Sequence, residues 1–142
     1  MPRKSLDTAV TDFAHSIGLL MRRTRVASGT QDLSWTQVIL LKRLATQGPA
    51  TIAELAREEG VKPQSMGATI AALAELGWVV RTPHPTDGRQ VNIELTAKGA
   101  EARSSAQHAK RAWLTQAIAQ LTAQEQETLF TAGEIIRRLA QL

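Results

Sequence analysis

Apolar residues recur at spacings of three and four along the first part of the chain, at Leu6, Val10, Phe13, Ile17, Leu20 and Met21. An α-helix returns to the same face about every 3.6 residues, so these positions form one stripe of an amphipathic helix. That helix is predicted over Leu6–Arg25 and closed by the loop Ser28-Gly29-Thr30-Gln31-Asp32. Ser34-Trp35-Thr36-Gln37 then has the form of a capping box, with Ser34 capping the helix and Gln37 reaching back. The helix it opens is predicted to run to about Thr46, where Gln47-Gly48-Pro49 stops it. Thr51-Ile52-Ala53-Glu54 repeats the pattern and opens a short helix ending by Gly60. Pro63 suits the first turn of a third helix, where the N–H it lacks would have no partner anyway. Gly77 supplies a left-handed stop for that helix.

Beyond Gly77 the period falls to two. Val91, Ile93 and Leu95 alternate with Asn92 and Glu94, the pattern of a half-buried strand, and Trp78, Val79 and Val80 are its expected partner. Between them lies Pro83-His84-Pro85-Thr86-Asp87-Gly88-Arg89. Two prolines donate nothing to a ladder and Asp-Gly favours a tight turn, so this segment is expected to project as a hairpin loop. Thr96 caps a long helix from about Ala97 to Gln120, and Thr122-Ala123-Gln124-Glu125 opens a last one. The fold class predicted from this order is mainly α with a small β-hairpin wing: a winged helix-turn-helix domain carrying N- and C-terminal dimerisation helices. The expected organisation is an N-terminal dimerisation helix at 1–30, a DNA-binding domain at 31–99 and C-terminal dimerisation helices at 100–142.

Composition narrows the function. The chain is 43% hydrophobic, as globular proteins are, and it has no cysteine, which excludes disulfides, thiolate metal sites and thiol redox switching. The basic start Met1-Pro2-Arg3-Lys4-Ser5 is followed by no apolar h-region, and no apolar run reaches the ~18 residues of a membrane span. A cytoplasmic location with no membrane partner is therefore expected. His15, His84 and His108 show neither metal-ligand spacing nor a plausible triad, and no glycine-rich nucleotide loop occurs. An enzyme, a cofactor and a metal are accordingly not expected. The net charge of +4 is no simple argument for nucleic acid, because residues 31–99 hold seven basic and seven acidic residues. Where individual charges sit matters more than their sum.

Stepping about 100° per residue from Met66 puts Met66, Ile70, Leu73 and Gly77 on one stripe, which must face the core. Gln64, Ala68, Ala71 and Glu75 fall opposite, with Ser65 and Gly67 at the flanks. Small residues there allow close approach to a major groove, and Gln64 lies in the first turn, where an amide can pair with adenine N6 and N7. Lys62, just before the helix, is placed for a phosphate. An ordinary solvated surface helix would show the same residues; the hairpin that follows directly turns the balance toward DNA contact.

Asp87-Gly88-Arg89, then Ile93 and Leu95-Thr96-Ala97-Lys98-Gly99, resembles the wing signature of the MarR (multiple-antibiotic-resistance regulator) family: Asp-x-Arg, a short alternating strand, and Leu-Thr-x-x-Gly opening a long helix. The resemblance extends through Pro63 and Gly77-Trp78-Val79 to the flanking helices. It implies a homodimer with intertwined first and last helices, presenting two winged domains to a near-palindromic site on double-stranded DNA. It also implies that Arg89 reaches the minor groove while Asp87 holds its guanidinium, with Arg81 adding a phosphate contact at the wing base. A planar cation suits a narrow groove of high negative potential. Many relatives carry arginine where this chain has Ala68, so a guanine contact from that position is not expected.

Leu6, Val10, Phe13, Ile17, Trp113, Ile118, Leu129, Ile135, Ile136 and Leu139 offer more apolar surface than one small winged domain covers, which points to a two-fold interface. The resemblance further implies release from DNA by a small aromatic or phenolic acid, for which His15, Arg22, Trp35 and Trp113 are the candidate contacts. Read as residues alone, Trp35 and Trp113 fit a core, His15 a surface and Arg22 a snorkelling stem more readily. The function expected is that of a sequence-specific DNA-binding transcriptional regulator, a repressor. The rival is a winged-helix dimer that serves as a protein-interaction module, since fold alone does not fix function.

Overall fold

A computed structural model describes residues 3–142; Met1 and Pro2, which open the basic N-terminal stretch, lie outside the described residues. Helix α1 (Leu6–Ser28) runs three residues beyond its predicted end. Ser5 caps it by accepting from the Thr8 N–H, and Gly29 closes it at φ +72°, a conformation that glycine adopts without Cβ strain. The Arg25 guanidinium donates to the carbonyls of Thr30 and Leu33, which fastens the following loop to the end of α1.

Both halves of the Ser34–Gln37 capping box form at the start of α2 (Trp35–Gln47). The second box is only half made. Thr51 accepts from the Glu54 N–H at 3.2 Å to cap α3 (Ile52–Glu59), but Glu54 does not reach back. Thr51 also belongs to a strand, β1 (Ala50–Thr51), where it faces Asn92. Two residues are too few to display a period of two, so the sequence pattern contains no sign of β1. Helix α4 (Pro63–Glu75) opens with Pro63 in its first turn. It closes through Gly77 at φ +75°, with Gly77 N–H donating to Ala74 and Trp78 N–H to Leu73. This paired stop satisfies two carbonyls the helix end would otherwise leave orphaned.

Strands β2 (Val79–Pro83) and β3 (Val91–Leu95) pair antiparallel from Val79 opposite Leu95 to Pro83 opposite Val91. The sheet order β1-β3-β2 makes it three-stranded rather than a bare hairpin. Trp78 lies before β2, not in it, because its N–H is spent on the helix stop. Pro83 belongs to β2 rather than to the loop, which is tolerated because β2 is an edge strand.

Helix α5 (Ala97–Ala119) is locked to the end of α4 by Thr96. The Thr96 hydroxyl accepts from Gly99 N–H at 3.0 Å and donates to the Gly77 carbonyl at 2.6 Å, while its N–H donates to the Trp78 carbonyl. Helix α6 (Ala123–Leu139) opens with the Thr122–Glu125 capping box in both halves. The core is formed by Leu40, Leu41 and Leu44 of α2, Leu55 and Ala56 of α3, and Met66, Ile70 and Leu73 of α4, closed by Ala50, Val79 and Ile93 from the sheet. These buried hydrophobic residues all lie between positions 40 and 93. Helices α1 and α6 bury none of their residues, although α1 packs along α5, with the Arg23 guanidinium 4.7 Å over the Trp113 ring.

Candidate nucleic-acid interface

Helix α4 is two-sided. Met66, Ile70 and Leu73 are fully buried, as the 100° stepping requires, and hold the helix against α2 and α3. Gln64, Ser65, Ala68, Ala71 and Glu75 are exposed, and a Cβ added at Gly67 would meet nothing within 4 Å. The exposed face is thus small and polar, with no bulky side chain to keep the backbone from a groove. Lys62 stands exposed at the N-cap position, and no side chain caps the helix there. The unpaired N–H groups and positive dipole end of the first turn add to its charge as an anion-attracting feature.

The wing loop, His84 to Gln90, ends in a turn in which Gln90 N–H donates to the Asp87 carbonyl at 3.1 Å. Gly88 is not among the positive-φ glycines, so the Asp-Gly pair does not form the left-handed two-residue turn its sequence favours. The Asp87 carboxylate accepts from the backbone N–H of Arg89 at 3.0 Å. Among the described residues no ion pair joins the Asp87 and Arg89 side chains. The expected hold of Asp87 on the guanidinium is therefore corrected: Asp87 orders the backbone at the wing tip and leaves the exposed Arg89 head unengaged. Arg81 is exposed on β2, opposite Ile93.

Behind this face, Arg43 of α2 grips Glu58 of α3 through two hydrogen bonds, Nε to Oε2 at 2.7 Å and Nη2 to Oε1 at 3.1 Å. Its third donor reaches the Gly48 carbonyl at 3.2 Å, so one guanidinium ties α2, α3 and the lead into β1 together. The hydrogen bonds from Arg43 hold the Glu58 carboxyl below its ordinary value, against the opposing effect of burial and with the charges of Arg43 and Arg57 assisting. This pair also removes one acid and one base from the neutral balance of residues 31–99.

The candidate effector contacts divide. Arg22 and Trp35 line one cavity of about 340 Å³, with Met21 and Val26 as apolar wall. His15 is exposed on α1, and Trp113 lies under Arg23, so neither shares that cavity. A second cleft of about 300 Å³, which sequence reasoning missed, lies between α2, α5 and Trp78. Trp35 and Trp78 line it together with Lys42, Arg103 and Lys110. Its signal was present in the sequence: Arg103, Ala106, Gln107 and Lys110 recur at helical spacing on one face of α5.

Comparison with known proteins accords with this geometry. Residues 33–91 match the sequence model of the MarR family. An HTH-type transcriptional regulator of Mycobacterium tuberculosis is 36% identical over 129 residues, covering 91% of this chain and 90% of its own. An HTH-type transcriptional repressor of the same species is 29% identical over 113 residues, 79% of this chain and 81% of its own. Among solved structures, a putative transcriptional regulator of Pseudomonas aeruginosa superposes with a TM-score of 0.86, covering 99% of each chain at 24% identity, a likeness of fold.

Proposed function

The chain belongs to the MarR family of helix-turn-helix transcriptional regulators, and from that premise we propose that it is a repressor that binds a near-palindromic DNA operator as a homodimer. The observation that carries this reading is the division of α4: its apolar face is sealed in the core while its small, polar face is open and is followed directly by a wing with a free arginine. Gln64 and Ser65 read base edges in the major groove, Ala68 allows close approach, and Lys62 and Arg81 hold phosphates. Arg89 enters the minor groove from a tip ordered by Asp87. Repression, rather than activation, follows the relative named as a repressor.

Residues 31–99 form the DNA-binding unit in this reading, and 1–30 with 100–142 form the dimer. The supporting observation is apolar surface without cover: Val10, Phe13 and Leu20 on α1, and Leu129, Ile135, Ile136 and Leu139 on α6, are all exposed in one protomer. A second copy is the occupant that buries them, since a monomer leaving this much apolar surface wet is disfavoured. A small aromatic acid is the effector, seated beside Trp35 in the cleft where Lys42, Arg103 and Lys110 supply positive charge and Trp78 a flat wall. The neighbouring cavity holding Arg22 is its alternative seat. Because the cleft joins the winged domain to α5, a ligand there acts on the angle between DNA-binding and dimer-forming parts.

Footprinting on the DNA upstream of its own gene, with the protein mass measured in parallel, tests the reading. Two symmetric protected half-sites with two protomers per duplex are expected. No protection anywhere in that region, together with a monomer mass at micromolar concentration, contradicts it. Salicylate-like acids are expected to weaken the footprint and change tryptophan fluorescence; no change in either removes the effector from the account.

A further inference from the structure

The wing loop, His84 to Gln90, contains Pro85 and Gly88 and follows directly on Pro83 of β2, and no apolar side chain of it is buried. It is nevertheless closed, and one side chain does most of the closing. His84 is half-buried, and its ring Nδ1 accepts from the Asp87 N–H at 3.1 Å and the Thr86 N–H at 3.3 Å. The Thr86 hydroxyl lies 3.4 Å from the same nitrogen, and the His84 backbone N–H donates across the loop to the Gln90 carbonyl at 3.3 Å. Pro85 has no N–H, so Thr86 and Asp87 offer the first two backbone donors after His84, and one ring atom takes both. Asp87 then passes the constraint on, its carboxylate accepting from Arg89 N–H and its carbonyl from Gln90 N–H. The chain of contacts runs from the His84 ring through Asp87 to the backbone of Arg89.

We propose that His84 is the positioning residue of the wing, holding Arg89 in register for DNA only while its Nδ1 is free to accept. The inference rests on the DNA reading of Arg89 given above. An imidazole that accepts at Nδ1 carries its proton on Nε2; an imidazolium donates from both nitrogens and accepts at neither. Protonation therefore sets a donor against two backbone donors, and the turn opens. The charged groups sharing the hairpin are Arg81 and Glu94 on the strands and Asp87 and Arg89 in the loop; none forms an ion pair with His84 among the described residues. The Asp87 carboxylate accepts from the Arg89 backbone, and the groups within hydrogen-bond distance of Nδ1 are the Thr86 and Asp87 N–H donors and the Thr86 hydroxyl. The wing is thereby a device that loosens as pH falls.

The test compares wild type, His84→Ala, His84→Asn and Arg89→Ala. An asparagine carbonyl stands as far from Cβ as Nδ1 does and accepts without titrating. Two readouts are taken from about pH 8 to about pH 5, the span over which histidines change charge: affinity for operator duplex, and the Thr86 and Asp87 amide resonances of the free protein. His84→Ala is expected to bind about fivefold to tenfold more weakly at all pH values, since the loop must then be ordered on binding. His84→Asn keeps the affinity, and wild type falls from the asparagine level toward the alanine level as pH drops. His15 and His108 are common to all four proteins, so their effect cancels in the ratios. The two amides shift with pH in wild type and not in His84→Asn. Amides indifferent to pH and to His84→Ala overturn the inference. So does weakened binding in Arg89→Ala with none in His84→Ala, which spares the DNA reading. Unchanged binding in Arg89→Ala while the amides still respond overturns the wing's role in DNA binding, and this inference with it.

Discussion

Adding one methyl group at Gly99 tests how α5 is joined to the end of α4. A Cβ there would lie 2.2 Å from the Trp78 carbonyl oxygen, 2.9 Å from its carbon and 2.8 Å from Leu95 Cδ1. The leucine tip can turn aside, but the Trp78 peptide cannot. Its oxygen accepts from Thr96 N–H at 3.0 Å, and the Trp78 N–H closes α4 on Leu73 at 3.1 Å. Alanine in a helix interior gains roughly 0.5–1 kcal/mol over glycine. Overpacking costs about 1–3 kcal/mol, and a clash with doubly tied backbone belongs at the upper end of that range or above it. The net loss expected for Gly99→Ala is therefore about 2 kcal/mol, or about 6 °C in Tm at fixed protein concentration. Gly67→Ala is the control, because a Cβ there meets nothing within 4 Å and its φ is not positive; it should leave Tm unchanged or raise it slightly. Calorimetry at one protomer concentration reads both. A Gly99→Ala protein as stable as wild type, or gaining as much as Gly67→Ala, refutes the argument that α5 and the end of α4 meet backbone to backbone.

Three further outcomes are expected. Glu58 is held below its ordinary range in the folded state by Arg43, so its contribution is present above the unfolded carboxylate pKa and lost as pH falls through the lower folded value; Glu58→Gln should lower Tm at neutral pH and flatten its acid decline, and an unaltered decline refutes the assignment. Ile136→Glu places a charge on the exposed apolar face of α6 and should shift the sedimenting species from dimer to monomer without unfolding the buried core between residues 40 and 93. Gln64→Ala removes a polar side chain from the open face of α4 and should cost about 1–3 kcal/mol at a matched operator and nothing on a scrambled duplex; equal losses on both would make Gln64 a backbone contact.

The elements that sequence reveals here are those whose cause is local. Ser34–Gln37 and Thr122–Glu125 specify their own caps within four residues, and Met66, Ile70 and Leu73 declare a buried face by spacing alone. What escaped has non-local causes. Strand β1 exists only because β3 lies beside it, and it takes Thr51 into the sheet as well as into the cap of α3. Trp78 has the composition of a strand residue, yet the stop of α4 claims its N–H. At the candidate site, the wing arginine and the open face of α4 were legible because motif and periodicity coincide there. The bond that Asp87 makes was not, since Asp-x-Arg fits a carboxylate on the guanidinium as well as one on the backbone, and only the loop's fold decides. The cleft residues Lys42, Arg103 and Lys110 come from two helices far apart in sequence, and packing alone brings them together.

Whether α4 and the wing bind DNA is decided by one titration. Fluorescence anisotropy with upstream duplex and with a scrambled duplex, at two salt concentrations, is carried out on wild type and Arg89→Ala. Wild type is expected to bind the upstream duplex more tightly, to lose affinity steeply with salt, and to bind about 1–3 kcal/mol more strongly than the variant. A folded dimer that binds neither duplex at low salt, or an Arg89→Ala protein indistinguishable from wild type on the upstream duplex, would contradict DNA binding by α4 and the wing.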